Sequence, residues 1–142
     1  RLGATRARQR GLAPGVVLAA DTEVIVDGEA LGKPRDADAA TQMLMRLSGR
    51  AHEVLSAVAV AASETLIDLR MTRNVVEMKT LDATEVRRYV ASGEALDKAG
   101  GYAIQGTGAI FVTRIEGSYS AVMGLPLFET AELLRRAGFD LP

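Results

Sequence analysis

With 142 residues, 48% of them hydrophobic, the chain can bury a core of its own, and its lack of cysteine excludes a disulfide framework, a Cys-ligated zinc site and thiol catalysis. Seventeen basic against 18 acidic residues leave a formal net charge of −1, so no global field draws it to nucleic acid or to an anionic membrane. One domain over residues 1–142, in a reducing, cytoplasmic setting, is the reading these numbers favour.

Arg1 to Arg10 is rich in Ala, Arg and Gln and reads as a helix that Gly11 stops. Its arginines (Arg1, Arg6, Arg8, Arg10) read as a solvated face before they read as a phosphate patch. The chain opens on Arg in what reads as mid-domain helix, so a segment upstream of Arg1 is expected. Val16 to Ala20 is short and apolar, the pattern of a buried strand, with Asp21 and Thr22 at its end. Glu23 to Val26 alternates and meets the hairpin signal Asp27-Gly28. Asp36 caps a predicted helix through Leu47, whose Ala37, Ala40, Leu44 and Leu47 keep helical spacing.

His52 to Ala62 and Thr65 to Met78 predict a long antiparallel hairpin turning at Ser63-Glu64. Asp82 with Glu85 is a capping-box variant that opens a helix to Ala91, and Gly93 lies just past its end. Gly106 to Ile115 predicts a strand. Leu125 to Ala137 predicts a helix with Pro126 in its first turn and Gly138 beyond it. No apolar run approaches the ~20 residues of a membrane span, and no signal-peptide core opens the chain. Strands and helices mix without strict alternation, which predicts an α/β or α+β fold on a mixed, strongly bent sheet.

Four places carry candidate chemistry. Asp21, leaving an apolar strand, is placed either to take a proton or hold a cation, or simply to cap a turn. Lys33, braced between Gly32 and Pro34, can meet a phosphate. Arg50 and His52 follow Ser48-Gly49; a phosphate contact for Arg50 competes with a salt bridge to a nearby acid, and a lone histidine excludes a multi-His metal site. Finally, Asp97-Lys98-Ala99-Gly100-Gly101 leads to Ile104-Gln105-Gly106: small residues let a backbone approach a ligand, and the Gln105 amide can read a base edge. No dinucleotide fingerprint, P-loop or nucleophile elbow is present.

In this order the segments resemble the Maf family of nucleoside triphosphate pyrophosphatases. The matching stretches are Ala20-Asp21-Thr22, Gly32-Lys33-Pro34, Leu47 to Val54, Asp97-Lys98-Ala99-Gly100, Ile104-Gln105-Gly106, and Glu116 to Ser120 with Gly124-Leu125-Pro126. The resemblance implies a Maf/Ham1-like bent sheet flanked by helices, with a nucleotide cleft between two lobes. It implies hydrolysis of a nucleoside triphosphate to the monophosphate and pyrophosphate, with Mg²⁺, or else Mn²⁺ or Co²⁺, as cofactor. Asp21 becomes the proton acceptor or a metal ligand, Lys33 a catalytic phosphate-binding lysine, and Lys98 and Arg50 further substrate contacts. Thr22 and Gln105 become the residues that choose the base, in the form that resembles the dTTP/UTP branch. The 7-methyl-GTP branch, or a cell-division regulator that keeps the cleft without turnover, is the alternative. A homodimer is expected. The family's Ser-x-Ser-Pro-Arg-Arg loop has no counterpart here, its first-helix lysine corresponds to Arg6, and its Glu-Pro is Glu94-Ala95. A first strand and half of the phosphate cradle are therefore expected before Arg1.

Overall fold

The computed structural model describes residues 15–62 and 67–142. The expected helix over Arg1–Arg10, the stop at Gly11 and the turn at Ser63-Glu64 lie outside them. Strand β1 (Val17–Val26) turns back through Asp27 and Gly28 into β2 (Glu29–Leu31), with φ of 53° and 76° at the two turn residues. Positive φ at both positions is the turn whose twist suits a two-residue hairpin, and Asp-Gly tolerates it. Helix α1 (Ala37–Leu47) starts where Asp36 accepts a bond from the Ala39 amide at 2.7 Å. Strands β3 (Ala51–Ala61) and β4 (Ile67–Met78) form the expected long hairpin, in register from Ala51↔Glu77 to Ala61↔Ile67.

Helix α2 (Ala83–Ala91) opens on a reciprocal box: Asp82 accepts from the Glu85 amide at 2.9 Å, and Glu85 from the Asp82 amide at 3.0 Å. Strand β5 (Val112–Glu116), a short helix α3 (Tyr119–Met123) and helix α4 (Leu127–Arg136) complete the described chain. The sheet runs β2-β1-β3-β4-β5. The fold is mixed α and β as expected, and every strand pairing among the described residues is antiparallel.

One face of this sheet carries two separate cores. Val24, Val26, Val54 and Val76 bury against Leu44 and Leu47 of α1, Val86 of α2 and Phe111. Farther along the same strands, Val58 and Val60 bury against Leu133 of α4. The period of two along β3 selects these residues and leaves Glu53, Leu55, Ala57 and Ala59 only half-buried on the other face. Between the two cores the covered face turns polar, at Thr22 and the buried Ser56.

Two expectations change. The apolar run at Val16–Ala20 is not a buried strand ending at Asp21; β1 continues unbroken to Val26 and Asp21 stands in its middle. Leu18 is 43% exposed, and Ala19 and Ala20 are exposed as well. Pairing with β3 runs unbroken from Val17↔Ala61 to Ile25↔Glu53, and the Asp27-Gly28 turn ends the strand. The strand expected from Gly106 to Ile115 is in fact a 3-10 turn over Thr107–Phe111, and only then β5. Its first amides bond a carboxylate instead of a neighbouring strand: Glu94 accepts from Thr107 at 2.9 Å and from Gly108 at 3.0 Å. Helix α3 has no counterpart among the expected elements, and Pro126 sits at the N-cap of α4, one residue before its first turn.

Candidate active site

Where the sheet passes from one core to the other, a cleft of about 300 Å³ opens above Thr22 and Val24 of β1 and Val54 of β3. The end of α3, with Met123 and Gly124, closes one side, and Lys33, Asp97, Lys98, Ile104 and Gln105 line the other. Five of the six residues singled out from the sequence therefore meet here: Asp21, Thr22, Lys33, Lys98 and Gln105. Arg50 does not. Its guanidinium takes the carboxylate of Asp27 in the hairpin turn, with bonds of 3.1 and 2.5 Å, and that pairing holds the Asp27 carboxyl below its ordinary range.

Thr22 forms the cleft's floor. Its hydroxyl lies 2.9 Å from that of Ser56, which in turn donates to the Ala121 carbonyl at 2.6 Å. A Cβ at Gly124 (φ 124°) would stand 3.9 Å from Thr22 Oγ1, so a glycine there leaves the hydroxyl uncovered. Strand alternation sends Asp21 the other way, toward Glu23. Asp21 borders the cleft along its edge and, with Leu55, Ala57 and Met71, also lines a shallower pocket of about 110 Å³ on the opposite face. One of its oxygens accepts from the Thr22 amide at 2.9 Å, and the other makes no hydrogen bond among the described residues.

The two lysines come together through the backbone. Gly100 donates to the carbonyl of Gly32 at 3.2 Å, tying the Lys33 turn to the segment that carries Lys98. Gly100 has φ of 71°, and a Cβ there would lie 3.0 Å from both Val24 methyls, so only glycine lets this loop rest on β1. Lys98 bonds Asp97 at 3.0 Å, while Lys33 forms no ion pair with any described residue. Asp97 is thus a second carboxylate in the cleft, and Lys98 and Lys33 both hold its carboxyl below the ordinary range.

Gln105 sits at the tip of a turn closed by the Gly106 amide on the Ala103 carbonyl at 3.2 Å. The turn is fixed from below on both sides. The Tyr89 hydroxyl accepts from the Ala103 amide at 3.0 Å, and Glu94 holds Thr107 and Gly108. A Cβ at Gly106 would fall 1.8 Å from Glu94 Oε1, so the glycine after Gln105 makes room for that carboxylate. Burial raises the Glu94 carboxyl, but hydrogen bonding from Tyr89, Thr107 and Gly108 outweighs it and keeps the group ionised. Sequence reasoning gave no role to Ser56, Tyr89 or Glu94, because each acts through partners supplied by other segments. Asp97 was within reach, since it adjoins Lys98 in the quoted motif.

His52 lies buried beneath the cleft wall, 2.8 Å from the hydroxyl of Tyr102, which lines the cleft. It is a structural histidine. Among the described residues no three acidic or histidine side chains converge as a self-sufficient metal cage. Asp21, at the cleft's edge, and Asp97 are the carboxylates that border the cleft among the described residues, the donor type that Mg²⁺ takes when it shares its coordination with phosphate oxygens and water. No helix among the described residues is long and apolar enough to cross a membrane.

The family model described as Maf-like protein matches residues 1–137. A dTTP/UTP pyrophosphatase of Anaeromyxobacter dehalogenans strain 2CP-1 is 51% identical over 99% of this chain and 74% of that protein. One from Chromobacterium violaceum is 51% identical over 93% of this chain and 66% of its own length. One from Escherichia coli O157:H7 is 56% identical over 83% of this chain and 59% of its own length.

Proposed function

The chain belongs to the Maf family, and on that premise we propose that it hydrolyses dTTP and UTP to the nucleoside monophosphate and pyrophosphate. The observation that carries this reading is the meeting of Asp21, Thr22, Lys33, Lys98 and Gln105 around one cleft. Water attacks the α-phosphorus, the bond from that phosphorus to the bridging oxygen breaks, and pyrophosphate leaves. Asp21, with one oxygen uncommitted among the described residues, takes the proton of the attacking water. Lys33 meets the phosphate charge directly, and Lys98 joins it by exchanging Asp97 for a phosphate oxygen. In the alternative role open to it, Asp21 would join Asp97 in holding Mg²⁺, which would supply further neutralisation of phosphate charge.

At the other end of the cleft, thymine and uracil present an N3–H between two carbonyl oxygens. The Gln105 amide can donate to one of those oxygens, while Thr22 faces the same edge from the floor. A site that hydrogen-bonds a base edge rejects a base with the wrong pattern far better than shape alone does.

The test is pyrophosphate release with Mg²⁺ from a panel of dTTP, UTP, dCTP, dATP, dGTP and 7-methyl-GTP. dTTP and UTP are expected to lead the others by at least about tenfold in kcat/KM. No release from any triphosphate by the folded protein sinks the hydrolase reading. A preference for 7-methyl-GTP keeps the reaction and overturns the choice of base.

A further inference from the structure

Ser56 is 1% exposed, does not line the cleft, and sits between the buried Val54 and Val58 on the covered face of β3. A hydroxyl there needs a reason, and its hydrogen bonds supply one. A serine hydroxyl has a single proton. Ser56 gives that proton to the carbonyl of Ala121 at 2.6 Å, an oxygen that can only accept. The second contact, 2.9 Å to Thr22 Oγ1, must then run the other way, with Thr22 donating to Ser56. Thr22 has spent its own proton on this bond. What its hydroxyl presents to the cleft, below the open space over Gly124, is a pair of acceptor lone pairs and no donor.

We infer that Ser56 is a positioning residue that fixes the Thr22 hydroxyl as a hydrogen-bond acceptor toward the base, so that the cleft selects bases carrying an N3–H and rejects cytosine. The inference rests on the proposed pyrimidine triphosphatase reading and adds to it the origin of the choice. Cytosine has a bare N3 at the place where thymine and uracil have a donor, so it meets Thr22 lone pair against lone pair. With Ser56 absent, the Thr22 proton is free to turn into the cleft and satisfy that nitrogen. Buried and out of reach of substrate, Ser56 acts only through the direction of a neighbour's proton.

The experiment compares kcat/KM for dTTP and dCTP in the parent protein, Ser56→Ala and Ser56→Thr. Ser56→Ala is expected to narrow the dTTP:dCTP ratio at least about tenfold, with an absolute rise for dCTP. Ser56→Thr keeps the hydroxyl and is expected to hold the ratio within about threefold of the parent. If Ser56→Ala lowers both substrates together and leaves the ratio unchanged, Ser56 is packing only and the inference is overturned. Should Ser56→Ala fail to fold, the parent decides the matter with dTTP methylated at N3: turnover equal to that of dTTP overturns the inference, and a loss of about tenfold or more supports it. Calorimetric binding of the same nucleotides separates the two readings. A protein that turns over nothing yet binds dTTP over dCTP in a Ser56-dependent way refutes hydrolysis alone, and equal binding of the two refutes the role of Ser56.

Discussion

Asp21 and Thr22 are neighbours in β1, and a strand sends neighbours to opposite faces. That places the Thr22 hydroxyl on the covered face and the Asp21 carboxylate at the cleft's edge, so under the proposed reading one dipeptide would serve two ends of the nucleotide. The Asp21 oxygen that is uncommitted among the described residues is what a proton acceptor needs, since its partner oxygen is fixed by the Thr22 amide at 2.9 Å. Asp21→Asn keeps the size and loses the base. It is expected to lower kcat for dTTP by about 10²- to 10⁴-fold while KM stays within about threefold, measured by steady-state pyrophosphate release. Asp97→Asn serves as the comparison, because among the described residues Asp97 is the other carboxylate lining the cleft and lies beside Lys98. Full activity in Asp21→Asn with collapse in Asp97→Asn would move the proton-accepting role to Asp97. Arg50 marks the limit of reading residues singly: of phosphate contact and salt bridge it makes the salt bridge, with Asp27 of the hairpin turn.

At the scale of elements, what could be read from the sequence is what is written in adjacent residues. Asp36 before α1, Asp82 with Glu85 before α2, and Asp27-Gly28 between strands each carry their own local bonding and fall where the sequence puts them. The segment after Gln105 does not, because its conformation is set by Glu94, 13 residues upstream of Thr107. A 3-10 turn, its first amides on Glu94, stands where a strand was expected. Ser56 escaped notice similarly, because the partners of its hydroxyl sit on β1 and α3. The Gln105 turn should therefore depend on Glu94 more than on its own sequence. Glu94→Ala removes a charged acceptor from two backbone amides and is expected to cost about 2 kcal/mol of stability. Hydrogen exchange at the Thr107 and Gly108 amides should accelerate, and KM for dTTP should rise as the turn loosens. Unchanged exchange at those two amides would show that the turn holds itself.

Stability of the whole molecule is tied to pH through the seam between sheet and cleft wall, where His52 of β3 meets Tyr102. The ring is 3% exposed, and its Nδ1 has no hydrogen-bond partner among the described residues. Protonation would therefore bury a charge together with an N–H that nothing accepts. Burial, reinforced by the nearby charge of Arg50, pushes the His52 pKa down to about 4 from its ordinary 6.5. The sign follows from which state binds the proton first. Between those two values the unfolded chain protonates and the folded one resists, so stability is complete above about pH 6.5 and falls as the pH drops toward 4. The shift corresponds to about 3 kcal/mol over that window, a large share of what a domain of this size possesses. The carboxylates held low by ion pairs and caps, Asp27, Asp68 and Asp82 among them, add their own loss only at lower pH, as they take up protons. Urea unfolding at pH 7 and pH 5 should thus separate the two effects, and His52→Gln, which keeps a polar group for Tyr102 but cannot titrate, should be weaker at pH 7 and nearly flat between pH 6.5 and 4. A parent-like slope in His52→Gln would place the acid sensitivity elsewhere in the molecule.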